Sequence, residues 1–191
     1  MTADEFKKLW DPGKFHRWAD LEVAEIEKAP LSVLTKDFLR AGFPEDAAPF
    51  LNFGWRSHKG KFYNIAELYP EYTDINSAKN YWIIGSDGAG NPICFDVSQN
   101  DRIVLLDHEQ RFEVICVMNS NIEELAACLL LYKNFISKIQ KANDQSTDSE
   151  SNFSMAELSQ LKGEFKQISN NIFEESEFWQ SGIDALADEI M

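Results

Sequence analysis

No window of this chain approaches the ~18 uninterrupted apolar residues of a membrane-spanning helix, so none is expected. Cysteine is scarce: Cys94, Cys116 and Cys128 stand far apart in apolar surroundings, with no Cys-x-x-Cys pair. That usage predicts reduced, buried thiols and argues against a disulfide framework or a zinc site. The opening residues Met1-Thr2-Ala3-Asp4-Glu5 lack the basic-then-apolar order of a secretory leader. Together these absences predict a soluble, cytoplasmic protein. There is no Gly-x-Ser-x-Gly elbow, no His-Glu-x-x-His and no EF-hand spacing, so no cofactor and no metal are expected. Basic residues are few, 18 against 32 acidic, for a net charge of −14. Such a field repels nucleic acid and anionic membranes and speeds encounter with a basic protein, while also serving solubility.

What is present suits one domain with an ample core: 191 residues with five Trp and fourteen Phe. The central stretch runs Tyr81 to Asp96. Its apolar runs Tyr81–Ile84 and Ile93–Phe95 flank a segment dense in Gly, Ser, Asp, Asn and Pro, which predicts a β-hairpin. Gly85, Gly88 and Gly90 mimic a phosphate-binding loop. They lead through Pro92 into a strand, however, where a phosphate cradle needs a helix N-terminus. Ile103–Leu106 and Phe112–Met118 have little polar alternation and predict central strands covered on both faces, with Asp107–Gln110 as their turn.

Helices frame these strands. Thr2 and Glu5 have capping-box spacing before a helix carrying Phe6, Leu9 and Trp10, which stops at Asp11-Pro12-Gly13. Leu31, Leu34 and Phe38 have helical spacing, with Gly42 at the left-handed position after the last turn and Phe43 placed to cover Phe38. Between them and the hairpin, Phe50–Phe53 reads as a strand, Gly54–Gly60 as a turn and Lys61–Asn64 as a return strand, followed by a short helix from Ile65. Ser120 and Glu123 form a second capping box, ahead of a stripe that includes Ile122, Leu125, Leu129, Tyr132, Ile136 and Ile139. Asn143–Asn152 has no apolar residue and reads as a loop. Beyond it, Ser154 and Glu157 make a third box, Phe153 and Leu158 a hydrophobic staple, and Leu158, Leu161, Phe165, Ile168 and Ile172 a further stripe. A last helix presents Trp179, Ile183, Leu186 and Ile190. From Ala142 onward eleven acids meet two lysines, a net of −9. The expected organisation is a core over 1–141, a polar loop over 142–153 and a helical extension over 154–191. The extension is expected to dock on the core, the other reading being a free partner-binding arm.

The order of these elements resembles a known family. It includes Trp82-Ile83-Ile84-Gly85 entering the hairpin, Ile93-Cys94-Phe95-Asp96 leaving it, and Asp107-His108-Glu109 after the next strand. Asn119-Ser120 precedes Leu125–Tyr132, and Phe38-Leu39 with Gly42-Phe43-Pro44 lies upstream. From about Leu31 to Tyr132 this resembles the SUKH superfamily of bacterial immunity proteins and yeast cell-wall-synthesis regulators. Phe178-Trp179 is similar to the C-terminal helix of one immunity branch. The resemblance implies an α+β fold, an antiparallel-rich sheet flanked by helices, here with two additional C-terminal helices. It also implies a non-enzymatic protein-binding module that neutralises a toxin domain, or a regulatory adaptor. The acidic charge suits a basic toxin, such as one that attacks nucleic acid, since that substrate demands Lys and Arg.

An enzyme would need different chemistry. His108, between Asp107 and Glu109, is the one candidate for a small hydrolase or metal-assisted enzyme, but neighbours on an extended chain point opposite ways. His16 and His58 have no partner pattern. Asp87, Asp96, Asp101 and Asp107 cluster near hairpin ends, where solvated turn acids are the default over a metal site. The expected partner surface is the turn Ser86–Asn91 with Asp87, Asp101, Asp107 and Glu109, beside the aromatic-rich segment with Trp55, Tyr69, Tyr72 and Asp74. Charges there would steer a basic protein and aromatics anchor it; otherwise the aromatics close the core.

Overall fold

The computed structural model describes residues 1–10, 17–53, 60–143, 153–188 and 190. A short antiparallel pair, β1 (Trp18–Ala19) with β2 (Phe43–Pro44), precedes a six-stranded sheet. Its strands are β3 (Asp46–Ala47), β4 (Leu51–Asn52), β5 (Tyr81–Ser86), β6 (Pro92–Asp96), β7 (Arg102–Asp107) and β8 (Glu113–Asn119). They lie in sequence order with every neighbour antiparallel, the α+β arrangement anticipated. Side chains alternate across each strand, and both faces are apolar. Trp82, Ile84, Ile93, Phe95, Ile103 and Leu105 join the larger cluster on one face; Tyr81, Cys94, Val104 and Leu106 join a smaller one on the other. β6 is buried at all five positions.

The larger face is covered by helices α1 (Ala3–Trp10), α2 (Val23–Lys28), α3 (Val33–Ala41), α5 (Ile122–Asn143), α6 (Met155–Ile168) and α8 (Glu177–Asp188). The smaller face receives α4 (Ile65–Leu68) and the 3-10 turn Pro70–Tyr72; α7 (Ile172–Glu175) links α6 to α8. Capping fixes where several helices start. Thr2 Oγ1 accepts from the Glu5 amide at 3.2 Å and Glu5 Oε2 from the Thr2 nitrogen at 2.8 Å. Ser154 and Glu157 form the reciprocal pair that opens α6. Gly42 sits at φ +85° with ψ 178°, so it is not a left-handed helical cap. A Cβ there would lie 2.3 Å from Trp18 Nε1, whose indole donates to the Ala41 carbonyl.

Several expectations shift. Leu9 is exposed, because α1 turns only the Phe6–Trp10 stripe inward. The cap of α5 is Asn121, which accepts from the Glu124 amide at 2.9 Å, one residue beyond the Ser120–Glu123 spacing. Starting there lets Ile122 enter the core. Lys61–Asn64 forms no return strand; Asn64 alone bridges Trp82, and its side chain caps α4. The turn expected from Gly54 lies outside the described residues except for Gly60. Val114 and Ile115 are exposed, since β8 is an edge strand with two register shifts against β7. The stripe from Leu158 is interrupted: α6 ends at Ile168 and Ile172 opens α7.

The C-terminal helices share the main cluster. Leu158, Leu161, Phe165, Trp179 and Ile183 are buried with the sheet residues, and Phe153 meets Phe135 edge-on at 5.5 Å between ring centroids. At the end of β8, buried Asn119 accepts from the Trp179 indole at 3.1 Å, and its amide lies 3.5 Å from Cys128 Sγ on α5. One side chain thus ties the sheet to two helices. Trp179→Ala is expected to lower unfolding free energy by about 3–5 kcal/mol in urea titration. A loss below about 1 kcal/mol would mean that α8 is dispensable to the core.

Candidate functional site

Consecutive antiparallel strands put alternate connections at opposite ends of a sheet. The β5–β6 and β7–β8 turns therefore share one end, and the β6–β7 connection lies at the other. At the shared end Asp87 Oδ1 accepts from the amides of Ala89 at 2.9 Å and Asn91 at 2.8 Å. Asn91 Nδ2 donates to Asp87 Oδ2 at 3.1 Å. Asp107 Oδ1 similarly accepts from the Glu109 and Gln110 amides, at 2.8 and 3.1 Å. Asn91 then joins the two turns: its Oδ1 accepts from the His108 amide at 3.3 Å and lies 2.8 Å from His108 Nδ1. Two acidic turns are thereby held as one rigid unit.

Aromatics flank it. Tyr69 and Tyr72, both half-buried, pack on Phe112 at 4.9 and 5.1 Å between centroids. Burial, above all, pushes the Tyr69 phenol up. Arg111 lies 5.7 Å over the Tyr72 ring and pairs with Asp74 at 2.6 Å. Across the strands Asp107 stands directly opposite Glu113, a like-charge pairing that opposes folding. Asn91 enters the sequence reading only as the end of the turn Ser86–Asn91, and sequence does not single out Glu113, because its pairing depends on the register of β8.

The structure brings together Tyr69, Tyr72, Asp74, Asp87, Asp107 and Glu109 from the expected surface. Asp101 does not join them. It lies in the opposite connection, is only 5% exposed, and accepts from the Ser32 amide at 2.7 Å and Thr35 Oγ1 at 2.9 Å. It is a structural anchor for the start of α3, not a surface acid. Trp55, His16 and His58 lie outside the described residues. Phe50, assigned to a strand from sequence, instead precedes β4 at φ +57° and is 87% exposed.

As catalytic machinery the site is poorly built. The His108 imidazole is addressed by Asn91, while the Asp107 carboxylate faces its own turn amides. Burial pushes the Cys116 and Cys128 thiols up to about 11 and about 12, and Cys94 well above the usual thiol range. All three are therefore held as unreactive thiols. Among the described residues no group of three or more His, Cys, Asp or Glu side chains gathers to hold a metal ion, and no helix is long and apolar enough to cross a membrane.

A family model described as SUKH-4 immunity protein matches residues 1–186, ending within the last helix. No curated protein and no solved structure matches the chain. The family match supports a toxin-immunity role with a protein partner.

Asp101→Ala removes the acceptor of the part-buried Ser32 amide and one partner of the buried Thr35 hydroxyl, and is expected to destabilise the protein by roughly 1–3 kcal/mol. Glu109→Ala, on the exposed turn, is expected to change stability by less than about 0.5 kcal/mol. Urea denaturation of the two variants checks the contrast.

Proposed function

Because this chain belongs to the SUKH-4 immunity protein family, we propose that it is a non-enzymatic immunity protein that binds and neutralises a basic toxin domain. The carrying observation is the acidic end of the sheet. Asp87, Asp107 and Glu109 gather there on turns that Asn91 fastens together, Glu113 follows at the start of β8, and Arg111 is already paired with Asp74. A toxin that attacks nucleic acid must present Lys and Arg where its substrate binds. An acidic, rigid surface of this kind covers such a groove by charge complementarity. Half-buried Tyr69 and Tyr72 offer amphipathic rims that bind without a large entropic loss. Asp107 and Glu113, opposite one another in the strand register, present two like charges that an incoming cation offsets. The site of action that follows is the cytoplasm of the cell to be protected.

The test is complex formation between the purified chain and the toxin domain encoded beside it. Absence of a complex would leave the regulatory-adaptor reading of the same surface. Where the complex forms, Glu109→Lys with Glu113→Lys is expected to slow association by about 10- to 100-fold at low salt, with the gap narrowing as salt rises. Both residues are exposed, so the melting temperature should change little. Asp87 is left intact in this test because its carboxylate shapes the hairpin turn. Unchanged association at low salt would place the partner elsewhere.

A further inference from the structure

Beside the acidic turns, on the helical side of the sheet, lies an open groove of about 960 Å³. Its walls come from β3, β4 and the segment between them, from the hairpin turn at Asp87 and Gly88, and from α5 and α8. Its apolar lining includes Pro49, Phe50, Tyr132, Ile136, Phe178 and Ala185. Phe50 stands 87% exposed at the mouth, an unusual position for a large aromatic side chain. It is also built into the acidic end: a Cβ on Gly88 would lie 3.2 Å from Phe50 Cβ, so the glycine lets the hairpin turn back directly onto this residue.

The charge of the lining is one-sided. Asp46 and Asp87 are its ionisable groups apart from the Tyr132 phenol, and none of the lining side chains is basic. The open groove leaves a small ligand uncovered on one side, where ligand pockets enclose most of the ligand's surface. Its lining is mostly apolar with two carboxylates, which suits a protruding peptide segment that carries an apolar side chain beside a cation. We infer that this groove anchors the toxin domain by taking one apolar side chain flanked by Lys or Arg. The inference rests on the immunity reading above and adds a second contact to it: the acidic turns govern how quickly the partner arrives, and the groove governs how slowly it leaves.

The test measures dissociation of the full chain from a catalytically inactive form of the toxin domain encoded beside it. Phe50→Asn keeps a residue that tolerates positive φ and removes the exposed ring. Ala185→Arg and Ala185→Gln add side chains of differing charge at an exposed helical position. Phe50→Asn is expected to speed dissociation by roughly 10- to 100-fold while leaving association nearly unchanged. Ala185→Arg is expected to weaken binding at least about tenfold more than Ala185→Gln, because it brings a cation against the incoming one. Melting temperatures of all three should stay near that of the unaltered chain, as the sites are exposed. If the unaltered chain forms no complex, the immunity reading fails for that toxin and this inference falls with it. If the complex forms but dissociation is unaffected by Phe50→Asn and Ala185→Arg, the groove inference alone is overturned. Equal losses from Ala185→Arg and Ala185→Gln overturn the cationic part of it. Conversion of a dimer to a monomer by Phe50→Asn in sedimentation, with toxin binding intact, would assign the groove to self-association and also overturn it.

Discussion

A sheet whose middle strand is buried on both faces constrains everything built around it. β6 exposes none of its five residues, and its neighbours β5 and β7 continue apolar patterns on both sides. Removing that much apolar surface from water requires two coverings. One is supplied by helices from both ends of the chain, the other by the short α4 segment, Tyr69, Tyr72 and Phe112. The helical covering includes residues as distant as Phe6 and Trp179. With both faces committed to packing, the strand ends and the seams between coverings remain for recognition. The acidic turns occupy one strand end, and the groove beside Phe50 occupies an adjoining seam.

Rigidity at that end has a local origin. Asp87 and Asp107 each satisfy amides of their own turn, and Asn91 then fastens the turns together through His108. Carboxylates held this way lose little further freedom on binding, which favours preorganised recognition over capture by a flexible loop. The same hydrogen bonds explain why the enzyme alternative has little geometric support. A base dyad needs a carboxylate aimed at the imidazole, and here Asp107 is turned toward backbone donors.

Local chemistry made much of the fold legible in the sequence. The hairpin around Gly85–Pro92, β7, and the capping boxes at Thr2 and Ser154 follow from residues within a few positions of one another. The features that sequence missed depend on distant contacts. Asp101 resembles the other turn acids until Ser32 and Thr35 arrive from 69 and 66 residues away. The Asp107–Glu113 opposition needs the register of β8, and the groove draws on segments far apart in the chain. Phe50 is a related case: it reads as the start of a strand over Phe50–Phe53, yet it adopts a positive φ and lies exposed before β4 begins.

Hydrogen–deuterium exchange on the complex with the toxin domain addresses the central claim most directly, because it reports which backbone is covered without altering any residue. The account predicts new protection at Asp46–Asn52, Ser86–Asn91, Asp107–Glu113 and the exposed face of α8, with Val97–Asp101 unchanged at the opposite end. Protection confined to Val97–Asp101 or to α6, with the acidic turns exchanging as in the free protein, would contradict it.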